Sequence, residues 1–286
     1  MPVDTAIADT LASIMKRRFL TLILAVTLTG STCPAVASAQ SPGTIIDNFD
    51  GPAGSLPDPA LWDFDLGPWR DDGLQTYTLN PDNVRLDGDG HLVIQARPAP
   101  DGYTSARPVT RGKLTMQYGT ISARIKFPPG PGIWPAFWLL GTNYHPDDPS
   151  AWPDCGEIDI MELVNNGDTF HVALHGPQGG TDYYGGGAAS GKVVGARGPI
   201  PDLTDDFHNY WLNWAPNSIV IGVDEQTLGS FTPESLPPGG KWVFNEPMYA
   251  LLNIAVGGPW PGPPDASTPW PATMLVDQFT YTPMPT

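Results

Sequence analysis

Apolar and polar residues alternate with a period of two along much of this chain. In "GTISARIKF" (Gly119–Phe127), Ile121, Ala123, Ile125 and Phe127 fall on one side, and Thr120, Ser122, Arg124 and Lys126 on the other. A β-strand points successive side chains to opposite faces, so this segment reads as a half-buried strand. "HLVIQAR", "FHVALHG", "NYWLNWA", "SIVIGVDE", "YALLNIAV" and "TMLVDQFTYT" read the same way. After the N-terminal region no helical periodicity runs longer than a turn or two. Between the strands lie "PPGPG" at 128–132, "GGGAASG" at 185–191, "PPGG" at 237–240 and "GPWPGPP" at 258–264. The 34 prolines and 32 glycines therefore punctuate strands. No repeat or interdomain linker stands out. The pattern predicts an all-β fold, a single antiparallel sandwich of many strands, and 286 residues suit one such domain.

The N-terminal region is different. Lys16, Arg17 and Arg18 precede an apolar run from Phe19 to Leu28, and the small-residue stretch "AVASA" ends at Ala39. A basic cluster, a short apolar run and an A-x-A-like site read as a secretory signal. The run falls short of the roughly 20 residues that span a bilayer. Residues 1–39 are thus expected to be an extension and signal, cleaved after Ala39, with Met15 as an alternative start. Residues 40–286 would form one secreted domain, expected to act as a monomer without membrane attachment. The net charge of −16 disfavours nucleic acid and anionic lipid as partners but is compatible with a neutral glucan. Cys33 falls in the signal, which leaves Cys155 alone and no disulfide framework. No histidine lies near Cys155 in sequence to activate it, so it reads as a buried thiol rather than a nucleophile. The histidines show no metal-ligand spacing, and "GGG" at 185–187 lacks the Gly-Lys-Ser/Thr of a phosphate cradle.

The candidate chemistry lies in "GEIDIMEL" (Gly156–Leu163), with Glu157, Asp159 and Glu162. Strict alternation would put Glu162 on the face opposite the other two. A β-bulge at Ile160–Met161 resets the parity, so that all three carboxylates share a face and Leu163 returns to the core with the isoleucines. Four strand steps, roughly 13 Å at ~3.3 Å each, then separate Glu157 from Glu162. Inward-leaning side chains on a curved sheet approach the ~5–5.5 Å spacing of a nucleophile and a general acid/base in retaining glycosidases. Asp159, between them, would tune their charge. The competing reading is an acidic strand facing solvent. Trp134, Trp138 and Trp152 lie close in sequence, and aromatic faces suit the apolar faces of sugar rings. Each tryptophan also fits ordinary core packing.

Taken together, "YTSARPVTRGKLTMQYGTISARIKFPPG", "IWPAFWLLG" and "WPDCGEIDIMELV" resemble glycoside hydrolase family 16, in particular its laminarinase-like endo-β-1,3-glucanases. "HVALHGP", "DFHNYWLNWAPNSI", "LLNIAVGGPWPGPPD" and "PATMLVDQF" follow in the family's order, and the resemblance covers nearly all of residues 45–286. It implies a β-jelly-roll sandwich with a substrate groove across a concave sheet, a polysaccharide substrate and hydrolysis with retention. By position, Glu157 resembles the nucleophile, Asp159 the assisting residue and Glu162 the general acid/base. Trp134, Trp138 and Trp152 resemble groove tryptophans, and Arg107 a substrate-binding arginine. His175, Asn253 and Trp260 match positions along the groove.

Two departures matter. In "WRDDGLQ", Asp71 stands where the family often has a subsite asparagine, and an acceptor replaces an amide that also donates. In "DNFDG", Asn48 stands where a calcium-binding glutamate is frequent, with Asp277 as a remaining partner. The resemblance thus requires no cofactor and allows a structural calcium. Three alternatives stay open: a retaining hydrolase on a galactan-type or other neutral cell-wall polymer, a transglycosylase, and a carbohydrate-binding jelly roll without catalysis.

Overall fold

The computed structural model describes residues 43–68, 73–182 and 194–285. The leader, its cleavage site and Asp71 lie outside these residues. Two large sheets make the fold, beside a two-stranded one that pairs Pro177–Gln178 with Thr181–Asp182. The first, of seven strands, runs in the order Gly195–Pro199, Thr169–His175, Glu157–Leu163, Ile133–Gly141, Met248–Val256, Pro108–Val109 and Asp63–Phe64. The second, of eleven strands, is built around Ala272–Pro283, with Gly119–Lys126 on one side and Leu92–Ala99 on the other. The alternation read in "GTISARIKF" is kept: Ile121, Ala123, Ile125 and Phe127 are buried, while Thr120 and Arg124 are exposed. Tyr210, Leu212 and Trp214 point inward from the neighbouring strand, in register with that pattern.

One large apolar core joins the sheets. Ile133, Phe137 and Leu139 meet it from the seven-stranded sheet, and Met274, Val276 and Phe279 from the other. Expected antiparallel pairing holds with one exception: Gln75–Tyr77 pairs in parallel with Gly102–Ser105. The helical segments among the described residues are single 3₁₀ turns, Pro149–Ala151 and Pro233–Ser235. The architecture is the expected all-β jelly-roll sandwich. The outer face of the seven-stranded sheet carries a second, smaller apolar cluster around Ala136, Trp138, Leu140, Tyr249 and Leu251. That cluster is the floor on which the site stands.

Candidate active site

The bulge lies where the carboxylate spacing predicts it. Opposite the Ile133–Gly141 strand, Trp138 pairs with Asp159, Phe137 with Met161 and Ala136 with Glu162, so Ile160 has no partner. On the other side Asp159 faces Ala173 and Glu162 faces His171, three residues against two. Ile160 and Met161 both go into the core, as do Ile158 and Leu163. Glu157, Asp159 and Glu162 are thereby left on the outer face, where all three line one cavity. The strand enters through two glycines. A Cβ on Gly141 would lie 2.1 Å from the Cys155 carbonyl oxygen, and Gly156 has a φ of +77°. A larger residue at Gly141 would push the two strands apart just before the motif.

The cavity measures about 400 Å³ and has mostly apolar walls, including Trp134, Trp138, Trp152, Tyr144 and Ala255. Each glutamate meets an indole donor. Trp134 Nε1 donates to Glu162 Oε1 at 2.9 Å, and Trp152 Nε1 to Glu157 Oε2 at 3.1 Å. Trp138 is almost fully buried and donates to Asn253 Oδ1 at 2.8 Å, so it serves both floor and cavity wall. Trp260, 40% exposed, stands edge-on to Trp134 at 5.0 Å and to His171 at 4.8 Å. Arg107 is buried at one end. Its guanidinium lies 4.3 Å from the Tyr77 ring centroid and 5.4 Å from that of Trp138, and Nη2 donates to the Tyr77 hydroxyl at 2.9 Å.

His175 joins the carboxylates from the adjacent strand. Its Nε2 is 3.1 Å from Asp159 Oδ2 and 3.7 Å from Glu157 Oε1, and its Nδ1 is 2.7 Å from Asp182 Oδ2. Burial pulls the imidazole toward neutrality, but Glu157, Asp159 and Asp182 outweigh it and hold the ring's pKa well above the usual histidine range. Burial and the neighbouring Asp159 push Glu157 up to about 8, against the opposing charge of His175. The same causes push Glu162 well above the carboxylate range, eased by His175 and the Trp134 N–H. Carboxyl groups packed this closely resist ionising together, and of the two glutamates Glu157 is the one within 4 Å of the imidazole, whose positive charge favours its carboxylate.

An apolar-walled cleft with three carboxyl groups in a row can transfer a proton and stabilise positive charge at a sugar carbon. The glycosyl hydrolases family 16 model matches residues 73–274. The chain belongs to that family. It is similar to the beta-glucanase of Rhodothermus marinus, 39% identical over 246 residues that span 81% of each chain. The glucan endo-1,3-beta-glucosidase A1 of Niallia circulans is 33% identical over 77% of this chain and 33% of its own length. Among solved structures, the laminarinase from Rhodothermus marinus superposes with a TM-score of 0.72 at 37% identity, over 84% of this chain and 97% of that one. This family 16 protein is therefore a glycoside hydrolase of jelly-roll fold.

The remaining expectations for a family 16 chain divide. Arg107, Asn253, Trp134, Trp138 and Trp152 line the cavity; His175 contacts its carboxylates, and Trp260 flanks Trp134. Asp277 lies on the other sheet. Its Oδ2 accepts from Arg124 at 2.8 Å and its Oδ1 is 3.9 Å from His91, while Asn48 Oδ1 accepts from Gln278. A guanidinium already faces the one carboxylate expected to bind calcium, so these side chains do not fit a calcium site. Among the described residues, Glu157, Asp159 and His175 do bring possible ligand atoms within 4.8 Å of one another. The imidazole there already faces Asp159 and Asp182, and a metal would have to displace its proton. Cys155 is buried and free, and burial with the nearby Glu157 pushes its thiol up to about 12. Sequence reasoning missed Asp182, Tyr77 and His171. Asp182 sits in "GGTDYY", a turn-like stretch without periodicity, and its part in the site comes only from the fold.

Proposed function

We propose that this protein is a secreted, retaining endo-hydrolase of β-1,3-glucan. The observation that carries the reading is the row of Glu157, Asp159 and Glu162 raised by the bulge on an indole-walled cleft. The two relatives' names point to the substrate class, and the leader read in the sequence to export. Glu157, the glutamate beside the His175 imidazole, attacks the anomeric carbon. Glu162 gives its proton to the departing glycosidic oxygen, so a carbon–oxygen bond forms on one face as another breaks on the opposite face. Glu162, now a carboxylate, takes a proton from water. That water displaces Glu157 and restores the starting configuration. Asp159, 3.1 Å from His175 Nε2, stands beside the nucleophile and adds its carboxyl to the face on which positive character develops in the transition state. No step needs a metal. A binding module would have no use for this row, since buried like charges cost folding free energy that apolar residues there would not.

Laminarin digestion followed by product chromatography tests the substrate and the mode of cleavage. Mixed oligosaccharides are expected early; glucose alone, or no release, would overturn the reading. Azide tests the roles. With an activated β-glycoside, Glu157→Ala plus azide should give the α-glycosyl azide, and Glu162→Ala plus azide the β-anomer. Swapped anomers would reverse the two assignments.

A further inference from the structure

One buried polar contact in the site belongs to a residue outside the acidic motif. Asp182, in the short strand Thr181–Asp182, is 5% exposed. Its Oδ1 accepts from the Gly176 amide at 3.0 Å, which sets the carboxylate plane, and its Oδ2 is 2.7 Å from His175 Nδ1. That contact makes Nδ1 a donor and turns the other ring nitrogen, Nε2, toward Asp159 and Glu157. The Trp152 ring, 6.0 Å from the imidazole between centroids, covers one side. We propose that Asp182 is a positioning residue for the glycosidase reaction: through His175 it keeps an imidazolium fixed between Asp159 and the nucleophile Glu157. The inference rests on the assignment of Glu157 given above.

The chemistry follows from the line of four groups. The Asp182 carboxyl meets one end of the ring, and Nε2 at the other end lies within 4 Å of Asp159 and Glu157. The imidazolium opposes the rise that burial and Asp159 impose on Glu157. Among the described residues, the titratable groups acting on the ring are Glu157 and Asp159 from the acidic strand, Asp182 from its own short strand, and Glu162 farther along the row. Glu157, Asp159 and Asp182 each favour the protonated ring. Without the Asp182 charge the ring loses its proton at a lower pH. The positive charge beside Asp159 and Glu157 then vanishes while Glu162 still holds its proton. This predicts a change in pH dependence that a purely structural anchor would not cause.

The test compares wild type with Asp182→Asn and Asp182→Glu on laminarin across pH. Asp182→Asn should lower kcat about tenfold to a hundredfold, the effect of a lost charged hydrogen bond, with KM within about twofold. Its alkaline limb should move to lower pH by about one unit. Asp182→Glu, which keeps the charge, should restore the limb even if kcat recovers only in part. An alkaline limb unmoved in a folded, active Asp182→Asn protein would overturn the proposal. Wild-type protein gives an independent check through nitrogen NMR of the His175 ring. A protonated ring with a strongly downfield Nδ1 proton at neutral pH is expected, and a neutral ring would also overturn the proposal. Failure of the substrate or nucleophile assignment is seen separately, as wild type inactive on laminarin or as swapped azide anomers.

Discussion

At the scale of single residues, the site is costly to fold. Glu157 binds its proton more tightly folded than unfolded, because burial and Asp159 raise it to about 8 from an ordinary 4.5. Between those values the native state holds more proton than the unfolded chain, so stability contributed at low pH is lost as pH rises toward 8. His175, also raised, acts in the same direction: its contribution is present below its unfolded value and fades as pH rises through the folded one. Glu157→Gln keeps the shape and removes one of these charges. We expect it to raise the melting temperature at pH 8 by a few degrees, about 2–4 °C for each kcal/mol recovered in a domain of this size, while abolishing turnover. At pH 4.5 the gain should shrink toward zero. Thermal unfolding at the two pH values decides it, and an equal shift at both would mean that charge is not the cause.

At the scale of the element, one strand supports both core and chemistry because its bulge lets two successive residues, Ile160 and Met161, face inward. Met161 is fully buried. Its truncation in Met161→Ala should therefore cost about 2–5 kcal/mol, whereas Met161→Leu, nearly equal in volume, should cost less than about 1.5 kcal/mol. Denaturant titration separates the outcomes. A near-neutral Met161→Ala would put Met161 on the surface and the parity reset elsewhere. The bulge was legible because three carboxylates at uneven spacing, beside apolar residues at Ile158 and Leu163, admit one consistent facing. Its neighbours were not legible. That Trp134 meets Glu162, and Trp152 meets Glu157, depends on which strands pair and how they twist.

At the scale of the whole molecule, charge and cleft act on substrate choice together. The chain carries a net charge of −16, and the cleft holds several carboxyl groups. A neutral glucan meets no long-range force from this field, whereas a polyanionic derivative is repelled until salt screens it over a Debye length of about 10 Å at 0.1 M. We expect kcat/KM on laminarin to vary by less than about twofold between low and moderate ionic strength, and that on carboxymethylated β-1,3-glucan to rise with added salt. Parallel assays at constant pH test this; a rise of equal size on the neutral polymer would point to a salt effect on the protein itself.

Periodicity alone determined that this chain forms strands, because a residue's face in a strand depends only on its parity, and burial enforces the choice. Ile121, Ala123, Ile125 and Phe127 needed no partner to be assigned inward. The same local logic located the bulge and its three carboxylates. The tertiary structure decided which distant groups complete them. Asp182 reaches His175, and His175 reaches Asp159, through strand pairing and a turn whose letters carry no periodic signal. It also set Arg124 against Asp277 from the adjacent strand, 153 residues away in sequence. Contacts of that range depend on register and on the packing of the sandwich, whereas the hydrophobic pattern records only which face each residue takes.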